Sequence, residues 1–468
     1  MEITIWRENE TFVYVTDGYR GACSVARRTF AFSICVDFFQ LDFMILGETD
    51  SAILETATFF CSLRLPEDER TSLQFNKWLW DYKQNFPFII DFASLRDDQL
   101  IRILESNPTR QLELGMSSWS PEQAKILATR SFPLNLKFGK AREGWIGVGP
   151  RDDGTVFMNY LETRHTHFGS LTVGADRFNT LDIRRNFLER IINLEGMFDK
   201  LTIGFLCREN VILPLSAKAH ALDYQVPSRF IQPSDFDSLD IPTMKLSLTF
   251  YGRSEELLIP FCNRVAQLGH FQRLQVSVES DYGQIEASSA AAILQALIRA
   301  IRGNPLLTQL TLKMYRIFFS LGSHVEELFQ VFGEHKRLRT IRLYPFPPVS
   351  AHRRDNEFEE MRTCYYPMLE RLLIQNRNLV ILGLNNKRLT NGTTIDEIYA
   401  QNYIYTRFIK IAEEPTSLRP SLVATALTEC ATSDFPYKAQ LMTFHIDMLC
   451  ELLKDVSLND DNDAVAVG

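Results

Sequence analysis

The sequence lacks the short patterns that name a reaction or a metal. It has no Cys-x-x-Cys pair, no His-Glu-x-x-His, no Gly-x-Ser-x-Gly and no calcium-loop spacing, which removes zinc-ribbon, zincin, hydrolase-elbow and EF-hand chemistry as readings. Nor does it have an excess of basic charge. Fifty Lys and Arg stand against 58 Asp and Glu, giving −8, and this balance argues against nucleic acid as a partner. Its eight cysteines are scattered, mostly in apolar segments where a thiol behaves as a small hydrophobe. That usage argues against a disulfide framework and for a reducing compartment, the cytoplasm or the nucleus. No apolar run is suited to a bilayer. The best, from Phe30 to Leu46, carries Asp37, Gln40 and Asp42, and each central Asp costs about 2.5–3.5 kcal/mol on insertion scales. A buried strand pair is the expected outcome there, with no membrane partner. The opening MEITIWRENE has no basic stretch followed by an apolar core, so no secretory leader is expected.

What the chain does have is a recurring unit: an apolar helix, a polar break, then a strand reading apolar-x-apolar. In the clearest copy, AILQALIRAIRGNP ends a helix and LLTQLTLKMYRI follows it. Strands of this kind are expected at Leu112–Leu114, Leu134–Leu136, Leu171–Val173, Leu201–Ile203 and Leu222–Tyr224. More follow at Leu246–Leu248, Leu274–Val276, Leu310–Leu312, Ile341–Leu343 and Leu382–Leu384. Breaks precede several of them, at Asn107-Pro108, Asn304-Pro305, His335 and Asn376. A residue before proline is pushed out of the helical region, so Asn-Pro is a helix stop. Upstream, Leu294, Leu297, Ile298 and Ile301 fall on one helical stripe, as do Leu369, Leu372 and Leu373. Ser120-Pro121-Glu122-Gln123 supplies a cap, a first-turn proline and a capping-box glutamine. One such unit cannot bury its own apolar face, whereas stacked neighbours can.

The pattern resembles the leucine-rich-repeat family, with consensus L-x-x-L-x-L-x-x-N-x-L. Leu307, Leu310, Leu312 and Ile317 fit the apolar positions, as do Leu379, Leu382, Leu384 and Leu389. Phe168, Phe198 and Phe271 begin copies matching the first half. The asparagine position holds Tyr315 and Lys387, so the family's buried asparagine ladder is missing. Segments such as LRLPEDERTSLQFNKWLW, ILESNPTRQLELG and SLRPSLVATALTECA resemble an irregular group of such proteins expanded in diatoms, a likeness that transfers no functional residue. The resemblance implies an α/β fold of the ribonuclease-inhibitor kind: a curved solenoid of degenerate repeats, with a parallel sheet on the concave face, helices outside and capping regions at both ends.

The expected organisation is an N-terminal cap over 1–92, with strands at Thr11–Val15 and Thr29–Asp37 and a helix over Thr71–Tyr82. The repeat array follows over 93–393, a helical cap opening at Thr394 over 394–455, and an acidic, disordered tail over 456–468. Other features read as structure. His165-x-His167 lacks a third ligand at metal spacing, and the glycines of 144–149 lead into Pro150 and a turn rather than a helix. The mixed-charge stretch from His352 to Glu360 and the preceding YPFPPV read as a solvated connection.

The expectation is therefore a non-enzymatic scaffold for an unidentified protein partner, with no cofactor, metal or small-molecule substrate. Its binding face would be the polar residues between the inward apolar positions: Glu113, Asn135, Thr172, Thr202, Asp223, Ser247, Gln275, Thr311 and Arg342. Two alternatives stand beside it. One is the substrate-recognition subunit of a ubiquitin ligase, which needs adaptor helices near the N-terminus. The other is an enzyme with a diverged site, which needs titratable groups converging in a pocket.

Overall fold

The computed structural model describes residues 2–16, 28–36, 39–64, 71–75, 90–114, 119–138, 154–174, 185–252, 255–279, 287–314, 325–344, 355–383 and 386–413, with scattered positions between 418 and 446. The chain divides into two compact units, Met1–Gly283 and Gln284–Gly468.

The first unit begins with antiparallel pairing among β1 (Glu2–Trp6), β2 (Phe12–Thr16), β3 (Arg28–Val36) and β4 (Phe39–Gly47). The apolar run around Phe30 to Leu46 is the expected strand pair, with Phe32 opposite Phe43 and their rings stacked at 4.7 Å. Helix α1 (Asp50–Cys61) follows, capped by the Thr49 side chain, which accepts from the Ala52 N–H. The helix expected from Thr71 is instead a strand, β5 (Thr71–Phe75). It pairs antiparallel with β3 and parallel with β6, burying Leu73 and Phe75, and this two-sided pairing outweighs local helical preference. Residues 76–82 of that expected helix lie outside the described residues.

From β5 onward the unit alternates strand and connection. The helices are α2 (Asp97–Ser106), α3 (Pro121–Thr129), α4 (Thr155–Glu162), α5 (Arg185–Asn193) and α6 (Glu255–Leu268). The strands are β6 (Gln111–Leu114), β7 (Leu134–Phe138), β8 (Gly169–Val173), β9 (Phe198–Ile203), β10 (Ala221–Pro227), β11 (Lys245–Tyr251) and β12 (Arg273–Glu279). All are parallel, and β5 to β12 lie in the sheet in chain order. The Ser120 capping box forms as expected, and the Gln123 amide reaches on to the carbonyls of Phe92 and Leu95, tying α3 to the preceding turn.

Two connections depart from the expected unit. Between β9 and β10, and between β10 and β11, short 3-10 turns at Arg208–Asn210, Leu213–Ser216, Ser228–Phe230 and Pro233–Phe236 replace an α-helix. These are the shortest connections between the parallel strands.

Helices α1 to α5 touch one another in chain order. The sheet face packed against these helices and, further along, against α6 carries Leu112, Leu136, Leu171, Leu201, Leu222, Leu246 and Leu274, all buried. Rings from both layers meet there, as Phe43 with Phe60 at 5.7 Å and Phe250 with Phe261 at 5.6 Å. Phe168, Phe198 and Phe271, the residues that start the half-matching repeats, are likewise buried. At Gly169 the register with β9 shifts, φ is +103°, and an added Cβ would sit 2.4 Å from the Leu134 carbonyl oxygen. Only glycine fits that approach.

The second unit holds α7 (Ala287–Arg302), β13 (Gln309–Lys313), α8 (Val325–Glu334), β14 (Thr340–Tyr344), α9 (Asp355–Gln375), β15 (Val380–Leu382) and α10 (Thr394–Glu413). Strands β13, β14 and β15 are parallel and in chain order. The last strand corrects the expected pattern. Ile381 pairs with Ile341 and is buried, so the inward residues are Leu379 and Ile381 rather than Leu382, and Leu384 lies outside the described residues. Five consecutive residues from Leu379 to Gly383 include four large apolar side chains, so local alternation leaves the parity open.

Asparagine and histidine side chains brace the helix-to-strand turns of the second unit. Asn304 donates to the Ala300 carbonyl, His335 Nε2 lies 3.0 Å from the Asn304 carbonyl, and Asn376 donates to the carbonyls of Phe332 and His335. Leu307, Leu338 and Leu379, each opening the next strand segment, turn back to Asn304, His335 Nδ1 and Asn376 respectively. The helix-stop residues read from the sequence are thus the groups that satisfy the C-terminal carbonyls of the preceding helix. In the first unit Arg110 does comparable work, reaching the carbonyls of Cys61 and Leu63. Among the described residues, no helix is long and apolar enough to cross a membrane.

Candidate functional site

In the first unit the helices cover one face of the parallel sheet and leave the outward side chains of the other. The Cα register sets those side chains in transverse rows. One row runs Thr16, Asp42, Ser33, Gln74, Glu113, Lys137, Thr172, Thr202, Asp223, Ser247, Gln275, crossing the sheet from β2 to β12. Every position in it is polar. From β6 to β12 the inward neighbours on the same strands are apolar and buried, so the pleat separates a packed layer from a hydrogen-bonding one; in β2–β4 the row's own face also packs Ala31, Met44 and Leu46.

Six of the residues expected from the sequence lie in this row: Glu113, Thr172, Thr202, Asp223, Ser247 and Gln275. Asn135 does not. It is the register partner of Gln111 and Ser170, one step toward the strand starts, and Lys137 takes the place beside Glu113. Thr311 and Arg342 are register partners of each other in the second unit. Thr16, Asp42, Ser33, Gln74 and Lys137 are members that reading apolar-x-apolar strands misses. The available signal was the polar break in otherwise apolar runs, Ser33 and Asp42 within Phe30–Leu46 and Gln74 between Leu73 and Phe75.

The expectation that the whole set faces solvent needs correction. Glu113 is only 7% exposed and Thr311 only 6%, while Thr172, Thr202, Asp223, Ser247, Gln275 and Arg342 are half-buried. Toward the N-terminal strands the row sinks further, with Asp42 at 2%. There, Oδ1 of Asp42 accepts from the Ser33 hydroxyl and the Gln40 amide, both at 2.6 Å, which offsets the cost of burying the carboxylate. Glu113 is held by Lys137, Nζ to Oε2 at 3.0 Å. Asp223 is held from two sides, by Lys200 at 3.1 Å and by the Ser247 hydroxyl at 3.1 Å. Arg342 reaches Asn386 Oδ1 at 3.1 Å.

This arrangement offers hydrogen-bond donors and acceptors along a strip rather than a reacting centre. Among the described residues, no group of three or more His, Cys, Asp and Glu is placed to hold a metal ion. His165 and His167 are exposed in the connection before β8, with His167 Nδ1 3.8 Å from Asp199. Cys61 is buried behind the sheet, and burial pushes its thiol well above the usual range, opposite to what a nucleophile needs. The glycine run of 144–149, most of YPFPPV, the basic cluster 352–354 and the acidic tail lie outside the described residues. No family model matches the chain, and no curated protein matches it.

Proposed function

We propose that this chain is a non-enzymatic interaction protein whose parallel strand-and-connection modules form degenerate leucine-rich-repeat arrays of the solenoid kind, and that it presents the open sheet face to a protein partner. The repeat reading is supported by order. Strands β5 to β12 follow the chain without a reversal, and helices α1 to α5 touch in the same order. A doubly wound sheet would instead reverse its strand order at a switch point and bury both faces under helices. On this reading the uncovered face is the one a repeat array turns toward its ligand.

The observation that carries the functional proposal is the polar row from Thr16 to Gln275. From β6 to β12 packing against the helices does not require it, since there the buried leucines sit on the opposite face. A strip of half-buried Thr, Ser, Gln and Asp side chains with paired charges offers directional hydrogen bonds at low side-chain entropy cost, as a protein interface does. The ubiquitin-ligase reading has less support, because the described part of residues 1–92 is five strands and one helix rather than a set of adaptor helices.

The test is capture of partners on the full-length protein and on two variants. Thr202→Arg with Gln275→Arg places bulk and charge on the open face, while Arg102→Glu alters an exposed position on α2. Partners retained by Arg102→Glu and lost from the face variant support the proposal. Partners retained by both remove the face from consideration.

A further inference from the structure

The open face has a second row, one step nearer the strand starts, and its charge is one-sided. Across β9 to β12 it reads Lys200, Ala221, Lys245, Arg273. Lys245 and Arg273 are direct register partners on adjacent strands. Like charges set opposite each other in a sheet are destabilising, and proteins commonly place a carboxylate between them. Here none is supplied: among the described residues, neither side chain makes an ion pair or a hydrogen bond. Arg273 is exposed and Lys245 half-buried, and the Arg273 backbone N–H reaches the Met244 carbonyl. Lys200 leans into the neighbouring row, where Asp223 already holds it at 3.1 Å. Near Lys200 in sequence, Glu195 pairs with Lys218 and Asp199 with His167.

We propose that this row is the seat of an acidic, extended segment of a partner protein, with carboxylates at alternate positions. The inference rests on the open-face reading above and names the chemistry of what binds there. Geometry sets the spacing. Adjacent strands are about 4.8 Å apart, so Lys200 and Arg273, three strands apart, are separated by about 14 Å. In an extended peptide, residues i and i+4 lie about 13 Å apart with i+2 between them on the same side. A Glu-x-Glu-x-Glu stretch crossing the strands therefore meets Lys200, Lys245 and Arg273 with one face, and Ala221 puts only a methyl between the first two. Lysine and arginine side chains long enough to swing supply the remaining reach. The row behind it offers the Thr202 and Ser247 hydroxyls and the Gln275 amide to the peptide's backbone. The net charge of −8 disfavours nucleic acid as the anion, because the rest of the surface repels a long polyanion.

The experiment uses the full chain and a labelled peptide of alternating Glu and Ser, with a Gln–Ser peptide as the neutral control, read by fluorescence anisotropy at low and high salt. The unmodified protein should bind the acidic peptide, lose affinity as salt rises, and ignore the neutral one. Lys245→Glu with Arg273→Glu should weaken binding at least about tenfold, and Lys245→Gln with Arg273→Gln should weaken it less. Lys336→Glu, an exposed reversal in the second unit, should change nothing. The Glu pair keeps like charges opposed and should melt with the unmodified protein, whereas the Gln pair removes the opposition and should melt with it or slightly above. No binding of the acidic peptide, or binding indifferent to the reversal, overturns the proposal. So does tighter binding of a single-stranded oligonucleotide that the same reversal abolishes. If captured partners survive the Lys245 and Arg273 reversal but are lost with Thr202→Arg and Gln275→Arg, the acidic-segment inference falls while the open-face reading stands.

Discussion

The hydroxyl of Tyr399 closes the outer edge of β15 through one residue: it lies 3.2 Å from the Ile381 backbone nitrogen and 3.3 Å from the Ile381 carbonyl oxygen. The same carbonyl accepts from the Leu389 N–H, so the chain itself folds back over the strand. An edge strand otherwise exposes a row of unmet donors and acceptors to other chains. Tyr399→Phe keeps the ring and removes the bridge, and is expected to cost about 1–3 kcal/mol in chemical denaturation. The pH dependence has a definite sign. Burial pushes Tyr399 up to about 12, whereas an unfolded tyrosine titrates near 10.0, so the folded state holds the proton longer. This contribution is therefore complete below pH 10 and declines as pH rises toward 12. Tyr399→Phe should lose that alkaline decline, and a profile identical to the parent's would contradict the assignment.

Asn376 links two successive turns of the second unit by donating to the Phe332 and His335 carbonyls, each at 3.3 Å. Replacing it with leucine leaves those helix-end carbonyls unmet in a buried setting. The expected loss is about 1–3 kcal/mol. Asn378→Ala, at an exposed position two residues on, should stay within about 0.5 kcal/mol of the parent. Equal losses at both would mean that the turn, and not the side-chain bonds, stabilises the junction.

The sequence made the parallel strands legible because each inward position is encoded locally, by alternation of apolar and polar residues along a short run. Leu134, Leu136 and Leu171 needed no tertiary information. Register between strands is different. Leu112–Leu114 and Leu134–Leu136 look equivalent in the sequence, yet Leu112 pairs with Leu136, which moves Asn135 out of the row and brings Lys137 in. Nothing in either segment states that offset. β5 was hidden for a related reason, since a five-residue strand wedged between β3 and β6 is specified by its neighbours. The swap in order that places β3 between β4 and β5, and with it the buried Asp42–Ser33–Gln74 part of the row, is likewise a property of the assembled sheet.

Gly169 offers a sharper test of the close approach between β7 and β8. An alanine there brings its Cβ against the Leu134 carbonyl oxygen while holding a left-handed backbone, so the sheet must shift. The expected cost exceeds about 2 kcal/mol. Gly196 also has a positive φ, +65°, but nothing lies within 4 Å of an added Cβ. Gly196→Ala should therefore cost only the backbone penalty, about 1 kcal/mol. The difference between the two isolates the steric part.

Leu310 and Thr311 are neighbours on β13 that point to opposite faces, and both are buried, at 0% and 6%. From alternation alone, Thr311 should be open to water and its truncation silent. Its burial changes that. Leu310→Ala empties a site packed against the helices and is expected to cost about 2–5 kcal/mol, depending on how far the cavity collapses. Thr311→Ala removes one methyl and one hydroxyl beside Arg342, so about 1 kcal/mol is expected, a measurable loss smaller than that at Leu310. Thr311→Val should separate the two parts, because it keeps the volume and deletes only the hydroxyl. If Thr311→Val matches the parent while Thr311→Ala does not, packing holds this part of the face. If both lose equally, the hydroxyl does, and the second unit's open face is hydrogen-bonded in the way the Asp42–Ser33 pair is in the first.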